Sequence, residues 1–411
     1  MADDDATPPA RSSGRAARQG GLREHNLSLT LQHVLNARGP VSRANISAAT
    51  GLARATVSGL VDLLIEAQLV RELDLPPAAA RRAGRPGVPL APARGTVAGI
   101  GMEVNVDYIG VRAMDIAGRV LFERVEINDF RHSDPDAVLD MLARIAGRAI
   151  AILSADGVRV AGTALALPGL VDRVTGPLRV APMLGWRDVD VVGLITRHPV
   201  LDGFPPYLAN EANLAARAEA HARRSRDRTN FVYVSGEVGI GGAIVLDGDI
   251  FPGRHGWSGE IGHMVVDPFG ARGAGRGTLE EFAGQDALMA GAGLDPSMPL
   301  AHLVQAAQAG DCAALSSLRQ GAQALGIALA NVVNIVDVSE IVLGGTFAPL
   351  FAFLHDAVSE QLERAVIFAP WSPILVSEAR GGEYPAMTGA GLAVLSAVVA
   401  DPGGWLPVED G

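Results

Sequence analysis

TNFVYVSGEVGIGGAIVLDG, Thr229 to Gly248, reads as a β-hairpin: two apolar, β-branched runs joined through a glycine-rich turn. The same pattern lies ahead of the chain's midpoint. TVAGIGMEV (96–104) and YIGVRAMDIAGRVL (108–121) form a hairpin pair, the helical DPDAVLDMLARIAGRAIAILSA (134–155) follows, and VAGTALALPG (160–169) supplies a further strand. After the second hairpin come helices and the strand EIVLGG (340–345). Hairpin, helix, strand and helix, met twice, predict duplicated α/β lobes around a cleft, and ligands of such folds sit between the lobes.

Composition supports several domains. The chain has 411 residues, 48% of them apolar, enough for sizeable cores without covalent staples. Its single cysteine, Cys312, excludes intramolecular disulfides and cysteine-rich zinc sites. No apolar run is long enough to span a bilayer, and the N-terminus lacks a secretory apolar segment. A cytoplasmic protein with no membrane partner is expected, with residues 1–25 as a disordered tail. The net charge of −11 is uneven: residues 1–95 carry +4 and the remainder −15. A basic head on an acidic body fits a nucleic-acid-binding head, although counts this small decide nothing alone.

The head, residues 26–90, carries the pattern of a helix-turn-helix. Leu27, Leu31, Val34 and Leu35 share one helical face, and Ser42 can cap RANISAAT (43–50), which Gly51 stops. A third helix starts near Ala53 with Val57, Leu60, Val61 and Leu64 inward. Ser42, Arg43, Arg54, Ala55, Thr56 and Ser58 are the candidate DNA contacts, because a recognition helix offers its first turns to base edges while hydroxyls hold phosphates. LVRELDL (69–75) opens a wing, and Arg81, Arg82 and Arg85 beyond it suit a minor groove. A helical docking module with a solvated arginine linker shares this spacing; the wing and the basic segment favour DNA.

ALPGLVD (166–172), NEAN (210–213), GEVGIGGAIVLDG (236–248), GEIGHMVVDP (259–268), GTLEEFAG (277–284) and IVLGGTF (341–347) occur in the order seen in the ROK family. That family groups repressors and sugar kinases on an actin- and hexokinase-like, ribonuclease H-like fold. The head, with TGLARATVSGLVDLLIEAQLV (50–70) and GRPG (84–87), resembles its repressor members. The resemblance spans about 26–399. It implies a winged helix-turn-helix at 26–90, a first α/β lobe at 91–208 completed by a C-terminal helix at 385–400, and a second lobe at 209–384.

ROK kinases end their first strand in an acid followed by Gly-Gly-Thr. Here Glu103 takes the acid position, but Val104, Asn105 and Val106 follow it, and valine suits neither a glycine conformation nor close approach of a phosphate. In the second turn Val238 stands for the threonine hydroxyl. Glu211 replaces the catalytic aspartate, and displacing a base by about 1 Å costs on the order of a hundredfold in rate. NEAN also resembles the xylose-repressor-like branch. The expectation is a sugar-responsive regulator, most simply a repressor of carbohydrate-utilisation genes, with no ATP cofactor and no turnover. The alternative is an ATP-dependent sugar kinase with a regulatory head. Read without any ligand, the glycine turns are simply tight hairpins.

Carried over from the family, the sugar-holding residues are Gly169, Asn210, Glu211, Glu260, His263 and Glu280. Carboxylates, an amide and an imidazole suit vicinal hydroxyls. Trp186 either walls the pocket or fills the core. ROK proteins commonly bind zinc through the GH histidine and three cysteines, at positions that here are Ala271, Gly273 and Thr278, so no zinc is expected. Loss of that staple leaves 268–278 mobile or held by other contacts. The partners implied are operator DNA and a sugar, with the chain a homodimer or homotetramer.

Overall fold

The computed structural model describes residues 19–74, 88–173, 176–224, 229–267 and 276–407. The chain divides into two compact units, residues 1–92 with 398–411, and residues 93–397.

In the first unit Gln19–Asn36, Arg43–Thr50 and Arg54–Glu66 are helices that bury Leu27, Leu31, Val34, Ile46, Val57, Leu60, Val61 and Leu64 against one another. Ser42 and Asn45 form a reciprocal capping box, and Gly51 ends the second helix in the left-handed region at φ 72°. Val41–Ser42, Pro89–Pro92 and Val70–Glu72 make a three-stranded antiparallel sheet with Pro89–Pro92 in the middle, the base of a wing.

Within the stretch 1–25 expected to be a disordered tail, the residues from Gln19 onward are helical. The first helix begins at Gln19, and the short 3-10 turn Pro402–Trp405 packs against it, with the Ser28 hydroxyl donating to Val399 O at 2.7 Å. A contact separated by 371 residues leaves no local signal.

The second unit contains two five-stranded sheets of one topology. In the first, Val97–Val104, Tyr108–Asp115 and Val120–Ile127 form an antiparallel meander, and Arg159–Leu167 and Tyr207–Asn210 add parallel strands on the other side of Val97–Val104. In the second, Phe231–Gly236, Ile240–Leu246 and Asp249–Ile250 are the meander, with Glu340–Gly345 and Leu375–Glu378 parallel beyond Phe231–Gly236. Strands that accept a helix layer read as near-continuous apolar runs, and Val97–Val104 is buried along its whole length. Helix Pro135–Ala155 packs Leu139, Leu142, Ala146 and Leu153 into the first core. Helices Cys312–Val336 and Phe347–Ala365 fill the second.

Between the sheets lies a core built largely of alanine, including Ala164, Ala166, Ala215, Ala216, Ala243, Ala386 and Ala390. Small side chains let the helices Glu211–Arg223 and Pro385–Ala400 approach closely. A Cβ on Gly101 or Gly389 would strike the backbone carbonyl of Met387 or Leu214 respectively, so both positions require glycine. The far end of Glu211–Arg223 is locked by the buried Arg223, whose guanidinium pairs with Glu219 and Glu340 and donates to the Ser377 hydroxyl at 3.0 Å. Glu219 also accepts from the backbone N–H of Arg380 at 2.6 Å, which fixes the loop ahead of the last helix. Trp186, 2% exposed, belongs to the first core and donates its indole N–H to Ser133 O at 2.9 Å. The pocket-wall option for it fails, because the ring has no face left for a ligand.

Candidate functional site

Asn210 ends the last strand of the first sheet and caps the helix Glu211–Arg223: its Oδ1 accepts from Ala212 N at 2.9 Å and Asn213 N at 3.3 Å. Its Nδ2 donates to Gly169 O at 3.1 Å. Gly169 has φ 85° and lies so close to the Val180 carbonyl that a Cβ has no room. The sequence-predicted Gly169 and Asn210 therefore meet, and Glu211 follows them at the helix N-terminus.

The second cluster comes from the 3-10 turn Ile261–His263 and the short helix Glu280–Ala283. His263 Nδ1 faces Glu280 Oε1 at 3.3 Å. Burial pushes the Glu260 carboxyl up, His263 draws it partly down, and Glu280 adds repulsion. Glu281, next in sequence, turns the other way and accepts from Arg276 N and Gly277 N at 2.9 and 3.0 Å. Gly277 O in turn accepts from Val266 N and Asp267 N, so the base of the 268–275 segment is held by backbone contacts. That segment itself, with Ala271 and Gly273, lies outside the described residues. Thr278 is 6% exposed and bridges to Val265. His263 and a neutral threonine hydroxyl, with an alanine and a glycine at the remaining family positions, do not fit a zinc site.

A carboxylate cluster that sequence reasoning only partly identified joins these groups. Glu103, 2% exposed, accepts from the Tyr108 hydroxyl at 2.7 Å. Burial raises its pKa from the ordinary 4.5 to about 7, against the lowering influence of the Tyr108 bond. Asn105 donates to Glu237 Oε2 at 3.4 Å, and burial plus repulsion from Glu103 raises Glu237 to about 7. Glu211 is pushed well above the usual carboxylate range by burial and then by Glu237, Glu103 and Glu260. Glu103, Tyr108, Glu211, Tyr233, Ser235 and Glu237 line a cavity of about 170 Å³ closed by Gly345, Ala348, Ala379, Gly381, Gly382 and Pro385. Val104 and Val106 have joined the core, at 0% and 5% exposure. The sequence carried the signal for Glu237, a carboxylate inside a glycine turn. It carried none for Tyr108, which reaches Glu103 across the hairpin.

The head offers a second site. Arg54, Ala55 and Thr56 are exposed on the first turn of helix Arg54–Glu66, and Ser58 is half-buried. Ser42 and Arg43 have structural partners instead. The Ser42 hydroxyl belongs to the capping box, and Arg43 pairs with Asp62 and Glu72 at 2.7 Å each. Arg81, Arg82 and Arg85 fall in 75–87, outside the described residues. Among the described residues no single helix is long and apolar enough to cross a membrane.

The model of the ROK family matches residues 100–396. The xylose repressor of Bacillus spizizenii is 28% identical over 353 residues, covering 85% of this chain and 89% of its own. A solved ROK family transcriptional regulator, a homolog of the E. coli MLC protein, superposes with TM-score 0.75 at 26% identity, over 92% of this chain and 97% of that one. The ROK hexokinase from Thermus thermophilus gives TM-score 0.60 at 29% identity, over 73% of this chain and 99% of its own. The hexokinase spans the smaller share of the chain.

Proposed function

The chain belongs to the ROK family, and from that footing we propose that it is a sugar-responsive, DNA-binding transcriptional repressor that acts in the cytoplasm without phosphorylating its effector. One observation carries the non-catalytic part: where a kinase of this family needs two turns to receive phosphate, the first is packed with Val104 and Val106 and the second adds Glu237 to a cavity with no basic side chain lining it. Carboxylates repel the triphosphate that such loops stabilise. Glu211 adds to this, since burial and the neighbouring Glu237, Glu103 and Glu260 carboxyls favour its protonated form, which is the poorer acceptor of a sugar proton.

The effector is a sugar held by Gly169, Asn210, Glu211, Glu260, His263 and Glu280. The described geometry supports this through the Asn210–Gly169 bond, the His263–Glu280 pair and the mutual repulsion of Glu211 and Glu260. Neither zinc nor ATP is part of the protein. Arg54, Ala55, Thr56 and Ser58 read operator bases and phosphates, and Arg81, Arg82 and Arg85 reach the adjacent groove. The working species is a homodimer or homotetramer, whose paired heads read half-sites about one helical turn apart, roughly 34–36 Å, or multiples of that. Sugar closes the lobes and shifts operator affinity by about 1–3 kcal/mol.

Titrating the full-length protein onto its operator with and without a sugar panel tests this. A sugar-dependent change in affinity is expected, and no change with any sugar overturns the sensing role. ATP turnover above background, abolished by Glu211→Gln, establishes the kinase alternative instead.

A further inference from the structure

The cavity lined by Glu103, Glu211 and Glu237 is an electrostatic anomaly. Its other polar lining consists of the hydroxyls of Tyr108, Tyr233 and Ser235, and the rest is glycine, alanine and proline. Three carboxyls face one small space with no arginine in its lining, and Arg112, outside it, draws Glu103 down less than burial pushes it up. A buried carboxylate that lacks a cation is costly, and native structures normally supply the partner. The same protein does so elsewhere: Arg223 is buried between Glu219 and Glu340.

Two further observations leave part of the cavity's hydrogen-bonding capacity open. Tyr233 is 1% exposed, yet its hydroxyl makes no hydrogen bond of ordinary geometry. Glu103 Oε2 is likewise buried without one, while Oε1 is taken by Tyr108. A ligand that suits this lining carries positive charge and several N–H donors. An ammonium group has both. A phosphate has the wrong sign, and a plain hydroxyl supplies hydrogen bonds but no charge.

Glu211 lies in two environments at once. It lines this cavity, and it follows Asn210, the residue bonded to Gly169 in the sugar site. A ligand held beside Asn210 and Glu260 therefore meets in Glu211 a carboxyl that also lines this cavity. We propose that the effector is a cationic sugar, an amino sugar with a free amine, whose ammonium occupies the cavity between Glu103, Glu211 and Glu237. This rests on the sugar-sensing reading and narrows its ligand class.

The test is calorimetric titration of the full-length protein at neutral pH with glucosamine, galactosamine and mannosamine, each beside its neutral hexose and its N-acetylated form. At least one free amine binds about tenfold or more tightly than both neutral counterparts. Glu237→Gln, at the half-buried turn, narrows that preference while the neutral hexose affinity stays within about twofold, and Glu103→Gln does the same. Equal binding of amine and neutral sugar overturns the inference alone, and so does an amine preference that survives both substitutions. So does enthalpy from magnesium or calcium chloride at this cavity with no amine preference. Failure of every sugar to bind removes the sensing reading, and this inference with it.

Discussion

The two sheets of the body each turn from their first strand to their second at the same topological position, and the two turns are built in opposite ways. In the first lobe the turn after Val97–Val104 is packed: Val104 and Val106 enter the core, Asn105 is 3% exposed, and Asn105 N donates to Tyr108 O at 2.8 Å. In the second lobe the turn after Phe231–Gly236 stays glycine-rich, with Glu237 N donating to Gly239 O at 2.8 Å. Each contributes one carboxyl to the same cavity. The comparison teaches that two turns of one topology can be finished in two ways, by packing side chains against the backbone or by keeping a glycine-rich backbone and adding a carboxyl.

The largest test of that contrast is packing. Val104→Gly removes a fully buried side chain and loosens a strand, and should cost about 3 kcal/mol in urea or thermal unfolding. Val238→Gly, at the half-buried second turn, should cost about 1 kcal/mol or less. Equal losses would show that both turns are packed alike.

Charge gives the next effect. Glu103 titrates near 7 in the folded protein and near 4.5 when ordinarily solvated. Between those values the folded chain binds more protons than the unfolded one, so this group's contribution falls as pH rises from 4.5 to about 7 and is fully unfavourable above it. Glu103→Gln should therefore raise stability at pH 8 by on the order of 2 kcal/mol and have little effect near pH 4. A gain of the same size at both pH values would disprove charge as the cause.

Glu237→Gln should show the same pH window with a smaller gain, because this side chain is only half-buried. Smallest is Tyr108→Phe, which removes the hydroxyl that donates to Glu103 Oε1. It should cost about 1 kcal/mol at pH 8 and move the Glu103 titration upward, followed by carboxyl NMR. An unmoved titration would mean that Tyr108 merely fills space.

Much of the molecule is legible in its residues. The capping box at Ser42 and Asn45, the stop at Gly51 and the stripe Val57, Leu60, Val61 and Leu64 are local signals. The duplicated hairpins are too, because strand alternation and glycine turns depend on near neighbours. Other features were not readable. The packing of the first helix against the 3-10 turn at Pro402–Trp405 joins distant parts of the chain, and the engagement of Arg43 by Asp62 and Glu72 leaves no spacing rule. Trp186 was undecidable because either burial or a ligand satisfies an indole, and only the neighbouring Ser133 carbonyl settles it.

Sequence alone determined that two similar lobes follow a helix-turn-helix head, and which residue types stand at the positions matching the family's metal loop and phosphate turns. Those conclusions rest on residue identity and short-range pattern. Only the tertiary structure decided that the altered turns aim Glu103 and Glu237 at one space shared with Glu211. Repulsion between carboxyls depends on their separation across two sheets, and no distance along the chain encodes it.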